Sequence, residues 1–130
     1  MNDLLLHNLR KVKVACFDFD GVFTDNKVYV SSNGLETVIC NRSDGIAINA
    51  FRKIGIQIII LSTETNDVVR ERGKKLQIET YYGIKNKKDF LKNFFSKNNL
   101  NPNNAMYIGN DINDLGAISC VKYSCLLYTS

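Results

Sequence analysis

A short, mostly apolar run over residues 12–17 stops at Asp18-Phe19-Asp20-Gly21, and this junction constrains the fold more than any other stretch. Six residues are too few for a typical globular helix. A run without strict polar alternation suits a strand covered on both faces, as in a parallel sheet. Open α/β sheets bind their ligands beyond the carboxyl ends of such strands. Asp18 and Asp20 are therefore expected at a strand tip that opens onto a site.

The pattern recurs along the chain. Residues 56–61 form a second apolar, β-branched run ending in the polar tip Ser62-Thr63-Glu64-Thr65-Asn66, and a strand over 105–108 leads into Gly109-Asn110-Asp111-Ile112-Asn113-Asp114. A short strand is expected over 79–82, with Tyr81 and Tyr82 half-buried. Helices are expected over about 44–53, 67–76 and 87–97. Asp44 is assigned as the cap of the first, Ile46, Ala47, Ala50, Phe51 and Ile54 as its apolar face, and Gly55 as its stop. Phe90, Phe94 and Phe95 fall at helical spacing on the third and are assigned to the core. Residues 27–30 and 36–40 favour strands, and Ser31-Ser32-Asn33-Gly34-Leu35 between them predicts a β-hairpin projecting from the body.

Strand and helix alternating through short connections predict an α/β fold, a Rossmann-like parallel sheet flanked by helices. With 130 residues the chain is read as one domain over 1–130. The tail Cys125-Leu126-Leu127-Tyr128-Thr129-Ser130 follows abruptly on the last helix. It is expected to be non-native over about 125–130, with the native carboxyl terminus truncated; a short terminal strand is the alternative.

Composition excludes several classes. The net charge of +4 arises from 17 Lys and Arg against 13 Asp and Glu, with the bases dispersed. That argues against a nucleic-acid partner and suits a small anionic ligand. No apolar run approaches the ~20 residues that span a bilayer, and the first nine residues lack signal-peptide character, so no membrane partner is expected and the protein is read as cytoplasmic. Cys16, Cys40, Cys120 and Cys125 form no C-x-x-C pair, and the single histidine, His7, is remote from them; reduced, structural cysteines are expected rather than a zinc site.

Two carboxylates two residues apart can hold a hard cation, and Mg²⁺ takes oxygen ligands while keeping waters and bridging to phosphate. Asp18 and Asp20 are the candidate metal ligands, with a third oxygen from Asn110 or Asp111. Asp18 is the candidate nucleophile toward phosphorus and Asp20 the candidate acid and base. The Ser62 hydroxyl and the Lys87 ammonium are candidates for holding the phosphoryl oxygens. Asp114 can orient Lys87.

Asp18-Phe19-Asp20-Gly21-Val22-Phe23-Thr24-Asp25 resembles the first motif of haloacid dehalogenase (HAD) superfamily phosphatases. Leu61-Ser62 resembles the second motif, Lys87 within Gly83-Ile84-Lys85-Asn86-Lys87 the third, and residues 109–114 the fourth. The similarity covers roughly residues 11–122, in family order. The hairpin and Asn41-Arg42-Ser43-Asp44-Gly45 resemble the branch without a cap domain that contains 3-deoxy-manno-octulosonate 8-phosphate phosphatase, nonulosonate 9-phosphate phosphatases and the phosphatase-like domains of acylneuraminate cytidylyltransferases. That resemblance implies Mg²⁺, an aspartyl-phosphate on Asp18, an acidic keto sugar phosphate as small-molecule substrate, and a homotetramer assembled through the hairpin. It implies substrate contacts from Arg42, Glu64, Arg72 and Lys75. Residues 61–66 tilt the likeness toward sialic-acid-like sugars. Asn110 stands where many members carry Asp, which matches the cytidylyltransferase-associated domains and implies the alternative of a weakly active oligomerisation domain.

Overall fold

The computed structural model describes residues 9–110 and 114–127. Five parallel strands make the central sheet: β1 (Val14–Phe17), β4 (Gln57–Leu61), β5 (Glu79–Tyr81), β6 (Ala105–Gly109) and β7 (Tyr123–Leu126). Between β1 and β4 lie the two short strands β2 (Tyr29–Val30) and β3 (Glu36–Thr37), which pair antiparallel as a separate hairpin. The helices are α1 (Ser43–Lys53), α2 (Val68–Leu76), α3 (Lys87–Lys97) and α4 (Leu115–Ile118). No helix among the described residues is long and apolar enough to cross a membrane.

The sheet runs β5-β4-β1-β6-β7. Taken as the five successive parallel strands, this is the doubly wound order 3-2-1-4-5. The direction of winding reverses between β1 and β6, and in such sheets the crevice at that reversal is the ligand site. Val14 pairs with Gln57 on one side and with Ala105 on the other, so β1 is the central strand and its tip stands between two neighbouring tips.

Side chains alternate across the sheet as the pleat requires. Ala15 and Phe17 face a cluster with Phe19, Phe23, Ile48, Ile58, Ile60 and Val69, beneath α1 and α2. Val14 and Cys16 face the opposite cluster with Ile59, Leu61, Leu91, Phe94, Phe95 and Tyr107, beneath α3 and α4. β1 is buried along its whole length, which accounts for its apolar composition. Tyr81 and Tyr82 are half-buried as expected, Phe94 and Phe95 are core, and Phe90 is partly buried against Tyr81.

Three local expectations differ from what is observed. Asp44 does not cap α1: Arg42 occupies the cap position without a side-chain bond, and the Asn41 carboxamide oxygen accepts from the N–H and hydroxyl of Ser43. The turn starts two residues before Ser43, so Asp44 already lies within the helix. The apolar face of α1 also differs. Ile46 is 75% exposed and Ile54 55%, whereas Ile48 is the buried residue; Phe51 packs against the core and alone survives from the expected face. Ile48 and Phe51, about one turn apart, form the stripe that meets the core. The hairpin ladder is shorter than expected, with Tyr29–Val30 paired to Glu36–Thr37, and an isolated bridge between Thr24 and Cys40 closes its base.

Cys125 and Leu126 belong to β7, which pairs in register with Ile108 and Gly109. Residues 128–130 and His7 lie outside the described residues. The described cysteines are all free.

Candidate active site

Asp18 follows β1 directly, and its N–H donates to the Ile108 carbonyl at 2.9 Å, so the strand pairing extends to the acid itself. The chain then turns back. The N–H groups of Val22 and Phe23 donate to the Phe19 carbonyl, and buried Thr24 fixes the turn by accepting at Oγ1 from the N–H groups of Gly21 and Asn26, each at 3.1 Å. Asp20 is thereby brought to the same cavity as Asp18. Gly21 has φ +79°, and a Cβ there would stand 1.8 Å from Asn110 Nδ2. Only glycine fits this position, because the Asn110 side chain occupies the space a Cβ would take.

The cavity, about 190 Å³, is lined by Asp18, Asp20, Asn26, Thr63, Lys87, Asn110 and Asp114. Three parallel strand tips and the start of α3 thus meet at the winding reversal. Lys87 is the first residue of α3, whose cap is Asn86, with its carboxamide accepting from Asp89 N–H at 3.0 Å. The ammonium is buried and donates to Asp18 Oδ1 at 3.0 Å, Asp114 Oδ1 at 2.9 Å and the Tyr107 hydroxyl at 2.9 Å. Asp18 Oδ1 also accepts from Phe19 N–H at 2.8 Å. Both bonds to Asp18 therefore fall on one oxygen, which fixes the direction of the carboxylate.

Three carboxylates in this cavity face one ammonium. Burial raises the Asp18 carboxyl above its ordinary range; Lys87 opposes that shift and Asp114 adds to it. Burial also raises Asp20, with Glu64 adding to the effect. The excess negative charge and the all-oxygen donor set suit a hard divalent cation. Among the described residues no three His, Cys, Asp or Glu side chains converge as ligands. The donors that fit are the carboxylates of Asp18 and Asp20 with the Asn110 amide; Asp111, the other expected ligand, lies outside the described residues.

The second strand tip contributes differently from expectation in one respect. Ser62 is buried and its Oγ accepts from Glu64 N–H at 3.0 Å, which shapes the tip, while the neighbouring Thr63 lines the cavity. Glu64 accepts from the N–H groups of Thr65 and Asn66 and lines an adjoining groove of about 230 Å³ that also includes Asp20, Asn26, Lys27, Glu36 and Asn66. The two spaces share Asp20 and Asn26 in their linings and so adjoin.

The expected cationic contacts lie elsewhere. Arg72 donates to the Asn41 carbonyl at 2.9 Å and ties α2 to the turn before α1. Arg42 lines a separate groove with Thr24, Asp25, Cys40 and Asp44, and Lys75 is exposed on α2. Asn26, Thr63, Thr24 and Tyr107 were not foreseen. For Tyr107 a signal exists, since a phenol in an otherwise apolar buried strand needs a polar partner.

Fold and cavity together define a HAD-like α/β protein: an open parallel sheet, two acids at the tip of its first strand, and a buried lysine bonded to the first of them and to Tyr107 and Asp114. No family profile matches the chain. Among curated proteins, 3-deoxy-D-manno-octulosonate 8-phosphate phosphatase KdsC from Salmonella typhi is 29% identical over 104 residues, covering 79% of this chain and 55% of the relative. The chain thus spans about half the length of the curated relatives it matches. A solved structure from Streptomyces avermitilis, described as a HAD family hydrolase, is 39% identical with a TM-score of 0.85, covering 89% of this chain and 67% of that one. The 3-deoxy-D-manno-octulosonate 8-phosphate phosphatase from Moraxella catarrhalis, solved with magnesium, phosphate and KDO, is 25% identical with a TM-score of 0.82, covering 93% and 70%. The chain belongs to the HAD family of hydrolases.

A carboxyl whose folded-state pKa is raised adds stability below its unfolded pKa, and that contribution is lost as pH rises through the folded value. Cation-free protein is therefore expected to lose thermal stability as pH rises from about 4 through the raised values of Asp18 and Asp20. Added Mg²⁺ should then raise Tm more near pH 7 than near pH 4. Thermal melts with and without Mg²⁺ at both pH values check this; equal shifts at both would contradict it.

Proposed function

We propose that the chain is a divalent-metal-dependent phosphomonoesterase that forms an aspartyl-phosphate on Asp18 and acts on an acidic keto sugar phosphate, either 3-deoxy-octulosonate 8-phosphate or a sialic-acid-like nonulosonate 9-phosphate. The observation that carries this reading is the bond from the Lys87 ammonium to Asp18 Oδ1 in a cavity that also holds Asp20, Thr63 and Asn110. The likeness to octulosonate phosphatases, one of them solved with magnesium and phosphate, supports the metal and the substrate class.

Asp18, Asp20 and Asn110 or Asp111 would hold Mg²⁺, Asp20 through an oxygen other than the one that carries the transferred proton, and the ion when bound would supply positive charge against the phosphate oxygens. In the first step an Asp18 oxygen forms a bond to phosphorus as the bond to the ester oxygen breaks, and Asp20 gives its proton to the departing alkoxide. Asp20, now ionised, takes a proton from water. The water oxygen attacks phosphorus, releasing phosphate and restoring Asp18. Lys87 offers fixed positive charge beside the phosphoryl group throughout, and the Thr63 and Ser62 tip closes the cavity from the second strand.

The sugar would lie in the adjoining groove, where Lys27 and Glu64 are available. Arg42, Arg72 and Lys75 remain proposed contacts for the sugar carboxylate, through movement of α2 or across a subunit boundary. The reading includes a homotetramer, supported by the exposed apolar residues Val28, Tyr29, Val30, Leu35 and Ile39 on and beside the hairpin. It also places the protein in the cytoplasm, where its free thiols stay reduced.

Purified protein with Mg²⁺ is expected to release phosphate from a panel of keto sugar acid phosphates, and Asp18→Asn to lower that rate at least about a thousandfold with the fold, read by circular dichroism, retained. No release by the parent protein, or full activity in the variant, would overturn the reading. Light scattering of the same sample should give the mass of four chains; four chains with no phosphate release would favour instead an oligomerisation domain of the kind associated with acylneuraminate cytidylyltransferases.

A further inference from the structure

Tyr107 lies on β6, two residues before the tip, and its ring is fully buried in the cluster beneath α3 and α4. Burial of a phenol costs free energy unless its hydroxyl is bonded. Here the hydroxyl donates to Asp114 Oδ1 at 2.6 Å and accepts from the Lys87 ammonium at 2.9 Å. Since burial raises the phenol above its ordinary pKa, it stays neutral, with one proton to give. That proton goes to Asp114, so the lone pair left over faces Lys87.

An ammonium has three N–H donors. Those of Lys87 have three acceptors, Asp18 Oδ1, Asp114 Oδ1 and Tyr107. Charge alone would draw the lysine toward either carboxylate, and both Asp114 and Asp18 are within 3.0 Å. The neutral third acceptor fixes rotation about the terminal carbon–nitrogen bond, and its own bond to Asp114 holds that carboxylate in place.

We propose that the Tyr107 hydroxyl is a positioning group that sets the direction of the Lys87 ammonium, and so keeps one N–H directed to Asp18. This inference rests on the phosphatase reading for its kinetic consequence but not for its chemical one. Removing the hydroxyl leaves one Lys87 N–H without its acceptor and frees Asp114 Oδ1 from one donor. The ammonium then moves within a cavity where displacement of about 1 Å can cost about a hundredfold in rate.

Tyr107→Phe keeps the ring and deletes only the hydroxyl. Two readouts apply to the whole chain with Mg²⁺. In the first, acetylation by an N-hydroxysuccinimide ester is followed at single lysines by peptide mass spectrometry. Lys87 should react several-fold faster in the variant, and exposed Lys88 at the parent rate. In the second, kcat for the best phosphate ester should fall about 10- to 100-fold with KM changed little. Unchanged Lys87 reactivity, or a variant that alters KM and not kcat, overturns the positioning role. A parent protein without phosphate release, in which Lys87 reactivity still responds to the exchange, overturns the phosphatase reading and supports the positioning. If the variant does not fold, nuclear magnetic resonance of the parent provides the test: a slowly exchanging Lys87 ammonium signal with a cross-peak to the Tyr107 ring is expected, and its absence overturns the inference.

Discussion

The site depends on one buried ammonium. Lys87 reaches from the first turn of α3 to the tip of β1, to the middle of β6 and to the residue that precedes α4. A buried charge of this kind is tolerated only when its bonds are satisfied, and removal of one partner from such a pair typically costs about 3–5 kcal/mol. The ammonium therefore acts as a structural requirement on three elements at once. Wherever the sheet brings Asp18, Tyr107 and Asp114 together, α3 must begin at Lys87, and Asn86 meets that demand by capping the helix at the residue before.

Against this fixed positive charge the cavity carries an excess of negative charge. Asp18 and Asp20 are both pushed toward protonation by burial, which opposes the fold in the absence of a cation and favours the fold that binds one. The turn after β1 carries a packing constraint as well, in the close fit of Gly21 to Asn110. The Asn110 side chain lies against the turn after β1, and any side chain at position 21 would hold it away. Thr24 then has a clear structural purpose, because its hydroxyl keeps the turn closed around that glycine.

Much of this was legible in the sequence, for identifiable reasons. Strands buried on both faces leave continuous apolar runs, and the run over 12–17 and its neighbours at 56–61 and 105–108 correspond to β1, β4 and β6. Their polar tips marked Asp18, Asp20 and Asn110, which line one cavity, and Asp114 does meet Lys87. What stayed hidden depends on rotation and on hydroxyls. α1 carries apolar residues on two stripes, and periodicity does not say that Ile48 rather than Ile46 turns inward. Thr63 and Ser62 are adjacent hydroxyls, and only the path of the chain decides that Ser62 bonds the backbone while Thr63 lines the cavity. Charge patterns on α2 likewise could not reveal that Arg72 reaches the Asn41 carbonyl.

In the proposed reaction Asp18 is the nucleophile toward phosphorus. The most direct measurement quenches the enzyme during turnover of a phosphate ester with Mg²⁺, reduces any acyl phosphate with borotritide, and maps the tritium by peptide mass spectrometry and scintillation counting. Label confined to position 18 and dependent on substrate is predicted. Turnover without label at position 18, or label on Asp20 or another acid instead, would contradict the account.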